Sequence, residues 1–308
     1  MSFNVVAPIF LLMVVGFFLK KIKILSEKTV KEMNAAVFKV FLPAMIIKNV
    51  YESEISEVFN PGLVLFAVVS VIATAAIIFC VVPLFVKDES RRGVIIQGMF
   101  RANFVIFGIP VSEAVCGGSV SGSAAVLIAV IVPIFNFMAV IALEIFNGGK
   151  PDFLKVLKGI VKNPLIISSV LGLAVNFFGV KAPSVIEATV KNLSSIATPL
   201  ALVFLGASIN LKAIEKNTIP LIWTILVKLV LLPAVCLTAA AYIFGIRGAD
   251  FVILISLFAS PTAVSSFTMA QQMGGDSELA GQIVMFGTVV CAVTVFLWIF
   301  SSMQLGII

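Results

Sequence analysis

Apolar runs of 17 to 28 residues, separated by short polar stretches, fill this 308-residue chain from end to end. A helix needs about 20 apolar residues to cross hydrocarbon some 30 Å thick. On that measure ten spans are expected, at 4–20, 30–50, 62–86, 93–116, 122–146, 163–180, 192–211, 218–245, 250–273 and 279–304. The third, fifth, eighth and tenth are long enough to tilt, and the sixth is short. The expected fold class is an all-α polytopic membrane protein.

Two spans are interrupted. The fourth contains RANFVIFGIPVSEAVCGG, Arg101 to Gly118, with Gly108, Ile109 and Pro110 mid-span. Proline removes a backbone donor and presses on the carbonyl four residues back, so a helix break is expected there, with Asn103 before it and Glu113 after it. The ninth contains SPTAVSSFTMAQQMGG, Ser260 to Gly275, with Pro261 among Ser260, Thr262 and Ser265. Interrupted helices at corresponding places in two half-chains point to a transporter binding site.

A repeat links the halves. Pro8 and Gly16 recur as Pro164 and Gly172, and Pro43 recurs as Pro199, all at an offset of 156. Gly117-Gly118 recurs as Gly274-Gly275 at 157. Five spans per repeat is an odd number, so the second copy must be inverted. The expected architecture is a 5+5 inverted repeat, 1–150 and 151–308, with spans four and nine as crossed broken helices. Pro110 and Pro261 do not superpose under this offset, so either the two breaks lie at slightly different heights or one proline only flanks its break.

Composition narrows the class. The chain is 61% hydrophobic and 12% charged, with a mean hydropathy of +1.19, against about 45–50% and 25% in soluble domains. The net charge of +6 reflects loop lysines and arginines, not nucleic-acid binding. Fourteen lie in loops on one side and four on the other, which puts both termini outside. Residues 152–162 read either as an amphipathic surface helix or as a charged loop. The chain has no histidine, the commonest metal ligand. Cys80, Cys116, Cys236 and Cys291 form no Cys-x-x-Cys pair, so no metal site or disulfide framework is expected.

Asn103 followed by Gly108-Ile109-Pro110 and Gly117 resembles the fourth-helix signature of the auxin efflux carrier family. Asn34 and Pro43, Asn163-Pro164, Pro199 to Gly206 and Ser260-Pro261-Thr262-Ala263 extend the resemblance over the whole chain. Plant members carry a long loop between the halves. Only about 15 polar residues stand there in this chain, so it looks like a bacterial member, expected in the inner (plasma) membrane. The resemblance implies a fold similar to bile acid:sodium symporters. It also implies a scaffold domain (spans one, two, six and seven), a transport domain (three to five and eight to ten), an elevator motion and a scaffold-mediated homodimer.

The expected substrate is a small organic anion, auxin-like or malate- or malonate-like. Half-helices starting at a break expose unsatisfied amides with positive partial charge, which favour a carboxylate. The candidate binding residues are Asn103, Gly108, Ile109, Pro110, Ser260, Pro261, Thr262, Ser265 and Asn34. Asn103 also reads as a cap, and Asn34 as a bond between neighbouring helices. Glu113 and Lys228 are candidates for coupling or charge balance, with a pair between them as one reading; each buried lysine also reads as snorkelling. Arg101 reads as a snorkelling or anion-attracting residue near the inner end of span four. Plant members have lysine where Glu113 stands, which leaves auxin itself in doubt. The competing reading is a sodium- or proton-coupled cation antiporter or symporter of the same fold. No cofactor, metal or phosphate-loop chemistry is expected, and an enzyme is disfavoured.

Overall fold

The computed structural model describes residues 2–53, 60–117, 122–146, 153–209 and 214–308. Gly118, Asp152 and two of the fourteen loop cations, Lys150 and Lys212, lie outside the described residues. All regular structure among the described residues is helical.

α1 covers Ser2–Lys21. α2 (Glu27–Ala36) starts at Ser26, whose hydroxyl accepts the Thr29 amide, and continues through a π turn at Val37–Phe41 into α3 (Leu42–Tyr51). α4 (Pro61–Phe85) is capped by the Asn60 side chain and α5 (Glu89–Phe100) by Asp88. Three non-helical residues, a π turn at Phe104–Gly108 and α6 (Ile109–Cys116) follow. α7 spans Gly122–Ile145. α8 (Phe153–Lys162) meets α9 (Pro164–Phe177) at a 53° bend, so 152–162 contains the short helix and not a plain loop. Next come α10 (Ser184–Ser208) and then α11 (Ile214–Leu226), a π turn at Val227–Leu231, α12 (Leu232–Thr238) and a π turn at Ala239–Ile243. α13 (Gly248–Phe258) and α14 (Ser265–Gln272) are separated by residues 259–264, and α15 (Ser277–Gln304) ends the chain.

Three of the four described π turns end two residues before a proline: Pro43, Pro110 and Pro233. Widening the turn gives the carbonyl four residues back room for the ring. The chain therefore passes Pro110 without breaking, contrary to the expectation of a break at that residue, and Pro110 is the proline that only flanks its break. The break in this stretch lies earlier, at Arg101–Asn103.

Six described stretches are long and apolar enough to cross a membrane: Pro61–Phe85, Glu89–Cys116, Ser123–Ile145, Ser184–Ser208, Glu215–Ile243 and Ser277–Gln304. The bent α8–α9 pair brings the number to seven. α13 and α14 fall short because the break divides them. The protein is a multi-pass membrane protein. Its outer helices present bare apolar side chains: Leu84, Phe85, Phe177 and Tyr242 are all more than half exposed. The Glu89–Cys116 stretch is instead 78% buried, against 28% for α4.

α1 packs along α10, and α9 along α3, which also touches α10. At the first crossing backbones touch. A β-carbon on Gly16 would lie 1.8 Å from the Val203 carbonyl oxygen, and one on Gly206 1.9 Å from that of Met13. The remaining long helices pack with α5, α6, α13 and α14 around the two breaks. At one end of the molecule Arg91 pairs with Asp276 (3.1 Å) and donates to the Asn217 side chain (2.8 Å). At the other end Tyr51 donates to Glu187, the Asn60 side chain to Asp250, and the Gly248 amide to the Ile307 carbonyl.

Candidate functional site

The two breaks meet. The Asn103 amide donates to the Pro261 carbonyl at 2.7 Å. On one side of this link, Thr262 Oγ1 donates to the Gly98 carbonyl (2.7 Å) and the Gln97 side chain to the Ser266 carbonyl (3.1 Å). On the other, the Ser112 and Ser256 hydroxyls pair at 2.6 Å. Ser260 donates to the Ser256 carbonyl. A β-carbon on Gly108 would lie 2.7 Å from that same carbonyl oxygen, so glycine there permits close contact with α13.

Beside the junction is a cavity of about 60 Å³, several times the roughly 10–15 Å³ one water needs. Leu42, Met45, Ile46 and Asn49 of α3, Leu165 of α9, and Thr198 and Ala201 of α10 form one wall. Residues 101–106, Val132, Phe135 and Asn136 of α7, and residues 263–265 form the other. Both half-helices begin at this cavity. The first intrahelical bonds are made by the amides of Phe107, Ser266 and Phe267, so the amides just before them are the unpaired donors of a helix start.

Arg101 is 4% exposed and lies on this wall. Its Nη2 donates to Asn136 Oδ1 at 2.6 Å, and its Nη1 faces Met269 Sδ. Among the described residues no carboxylate lies within 4.0 Å of it. Asn136 is 2% exposed, and its Nδ2 has no hydrogen-bond acceptor in the protein. A buried donor left unmade costs about 1–3 kcal/mol. Asn103 lines the cavity, and its side chain makes no capping bond. A guanidinium, an orphan amide and two helix starts thus converge on one small space. An oxyanion matches that set of donors.

A family model described as "Membrane transport protein" matches residues 1–299. The chain belongs to that family. This agrees with the auxin efflux carrier resemblance, and the protein is a transporter, not an enzyme. An uncharacterized transporter of Methanocaldococcus jannaschii is 26% identical over 302 residues, covering 96% of this chain and 97% of the relative. An uncharacterized transporter of Methanothermobacter thermautotrophicus is 22% identical over 307 residues, with the same coverage. A Rhizobium meliloti protein named "Putative malonate transporter" is 26% identical over 303 residues, covering 95% of this chain and 93% of its own.

The transporter's candidate residues fall into three places. Asn103 and Ser265 line the cavity. Ser260, Pro261, Thr262, Gly108, Ile109 and Pro110 build the junction and the second half of the first broken helix. Asn34, Glu113 and Lys228 lie elsewhere. Asn34 is fully buried and bonds α14, donating to Gln271 (2.6 Å) and accepting from Thr268 (3.0 Å). Of its two sequence readings, the bond between helices is the one seen. Glu113 is exposed on α6, and Lys228 does not pair with it. The Lys228 ammonium instead donates to the Phe258 carbonyl (3.3 Å) at the end of α13, where the negative end of the helix dipole favours a cation.

Arg101 and Asn136 were not candidate binding residues. Each is a polar residue inside an apolar run, which is itself a sign of function in a membrane helix. Arg101 is buried, so snorkelling, one of its two readings, does not describe it.

Proposed function

We propose that this transporter carries a small organic anion by an elevator motion, with the carboxylate held in the cavity beside the paired breaks. The observation that carries this reading is Arg101. It is a buried cation without a carboxylate partner among the described residues, on the wall of the cavity where both half-helices begin. A guanidinium can grip a carboxylate with two parallel bonds. Asn136 Nδ2 and Asn103 would supply further donors. The relative named for malonate favours a short carboxylate.

The proposed architecture is ten spans in a 5+5 inverted repeat with both termini outside. Three features support it. Shifted by 157, Arg101–Asn103 falls on 258–260, at the entry to the second break. Gly117 and Gly274, also 157 apart, share the left-handed conformation that ends each second half-helix (φ 73° and 79°). The pairing of α1 with α10 and of α9 with α3 is what an inverted repeat produces. Gly16 serves the first contact, and Gly172, against Val50 and Ile47, serves the second. In this reading α1–α3, α9 and α10 form the scaffold, and the rest moves. The cavity lies between the two groups, where an elevator would carry its cargo. The cation-carrier alternative gains no support from the cavity, whose one charged side chain among the described residues is positive.

A thermal-shift screen of purified protein against short carboxylates tests the reading. A carboxylate at about 100 times its Kd should stabilise the wild type by about 2.7 kcal/mol and leave Asn103→Ala and Arg101→Gln unshifted. Stabilisation by Na⁺, Li⁺ or amines, with no carboxylate effective, would put the cation reading ahead.

A further inference from the structure

We infer that the cavity accepts one net negative charge, so that a dicarboxylic acid enters half-protonated and brings a proton with it. This deepens the carboxylate reading above and rests on it.

The argument is a count of charge. Among the described residues, Arg101 is the only charged side chain on the cavity wall. The other polar side chains there, Asn49, Asn103, Asn136, Thr198 and Ser265, are neutral. The amides at the half-helix starts are dipoles and add no net charge. The remaining charges on the walling elements lie away from the cavity. On α3, Lys48 pairs with Glu52 just beyond the helix end (2.8 Å). On α7, Glu144 is in the last turn, and on α10, Glu187 and Lys191 are in the first two. None of them lines the cavity.

One guanidinium cancels one carboxylate. A second carboxylate would leave the loaded site negative inside the apolar layer, where an unbalanced charge is disfavoured. A second carboxyl group in its acid form needs only an acceptor for its O–H and a donor for its carbonyl. Asn49 and Thr198, on the wall opposite Arg101, offer both kinds of atom. The proton then travels on the substrate, and no protein carboxylate has to titrate. This fits the exposed position of Glu113.

Malonate and malonamate, its half-amide, separate the possibilities. Malonamate is a monoanion across the whole range, with a neutral amide in place of the second carboxyl. Equilibrium binding to purified protein is measured from pH 5 to 8. The expected malonate Kd rises about tenfold per pH unit above the pKa of its second carboxyl, while the malonamate Kd stays flat. In weakly buffered solution at pH 7, malonate binding takes up about one proton and malonamate none. Arg101→Gln loses both ligands.

A malonate Kd that is flat or falls with rising pH, without proton uptake, overturns the single-charge inference and leaves the carboxylate site standing. If neither ligand binds, nor any other short mono- or dicarboxylate, the carboxylate site itself falls and the inference falls with it.

Discussion

Arg101 shows how one residue changes meaning with its depth. α5 begins at Glu89, so Arg101 lies about 18 Å along the helix axis from its start at 1.5 Å per residue. A guanidinium buried this fully is held by partners or by ligand, and here Asn136 supplies one bond. Lysine would keep the charge but lose the planar, two-pronged grip. Arg101→Lys is therefore expected to weaken carboxylate binding at least tenfold, about 1.4 kcal/mol. Lys228→Met and Glu113→Gln, which alter charges off the cavity, should leave Kd within about threefold. Titration calorimetry on the three variants checks this. Comparable losses in all three would mean that long-range charge, and not contact, governs binding.

The broken helix is an element whose cause differs from its sequence signal. Pro110 draws the eye, yet the π turn at Phe104–Gly108 absorbs it. The actual break at Arg101–Asn103 has neither proline nor glycine. The Asn103 amide is turned out to the Pro261 carbonyl instead of back along its own helix, so the break exists because another break faces it. Pro110→Ala is accordingly expected to shift stability by no more than about 1 kcal/mol and to keep carboxylate binding. Thermal unfolding with and without ligand reads both. Loss of binding with the fold intact would return the proline to the centre of the site. Pro261 differs: it lies within its break and supplies the carbonyl that holds Asn103.

Across the whole molecule, loops gather at two ends. Asp88 and Asp276 adjoin Arg91 at one end, while Tyr51 meets Glu187 and Asn60 meets Asp250 at the other. Single cysteines at Asp88 or Asp276, in a background with the four native cysteines replaced, should react with an impermeant maleimide from the inside only. Cysteines at Glu52, Lys181 or Arg247 should react from the outside only. Labelling of Glu52 and Asp88 from the same side would break the alternating topology and the inverted repeat with it.

Much of this was legible in the sequence, because its causes are local or periodic. Apolar run length announces a membrane helix, since hydrocarbon thickness sets the requirement. The recurrence of glycines and prolines at 156–157 marks the same backbone needs met twice: close crossings at Gly16 and Gly172, and left-handed helix ends at Gly117 and Gly274. The mid-span asparagine, Asn103, is a candidate because it stands where the fourth-helix signature of the resembling family has its asparagine. What only the tertiary structure decided depends on residues brought together from far apart. The true place of the first break is set by Pro261. The partner of Asn34 is α14. The cavity wall opposite Arg101 comes from α3, α9 and α10. Periodicity along one segment carries no information about which carbonyl, from more than 150 residues away, will take up its amide.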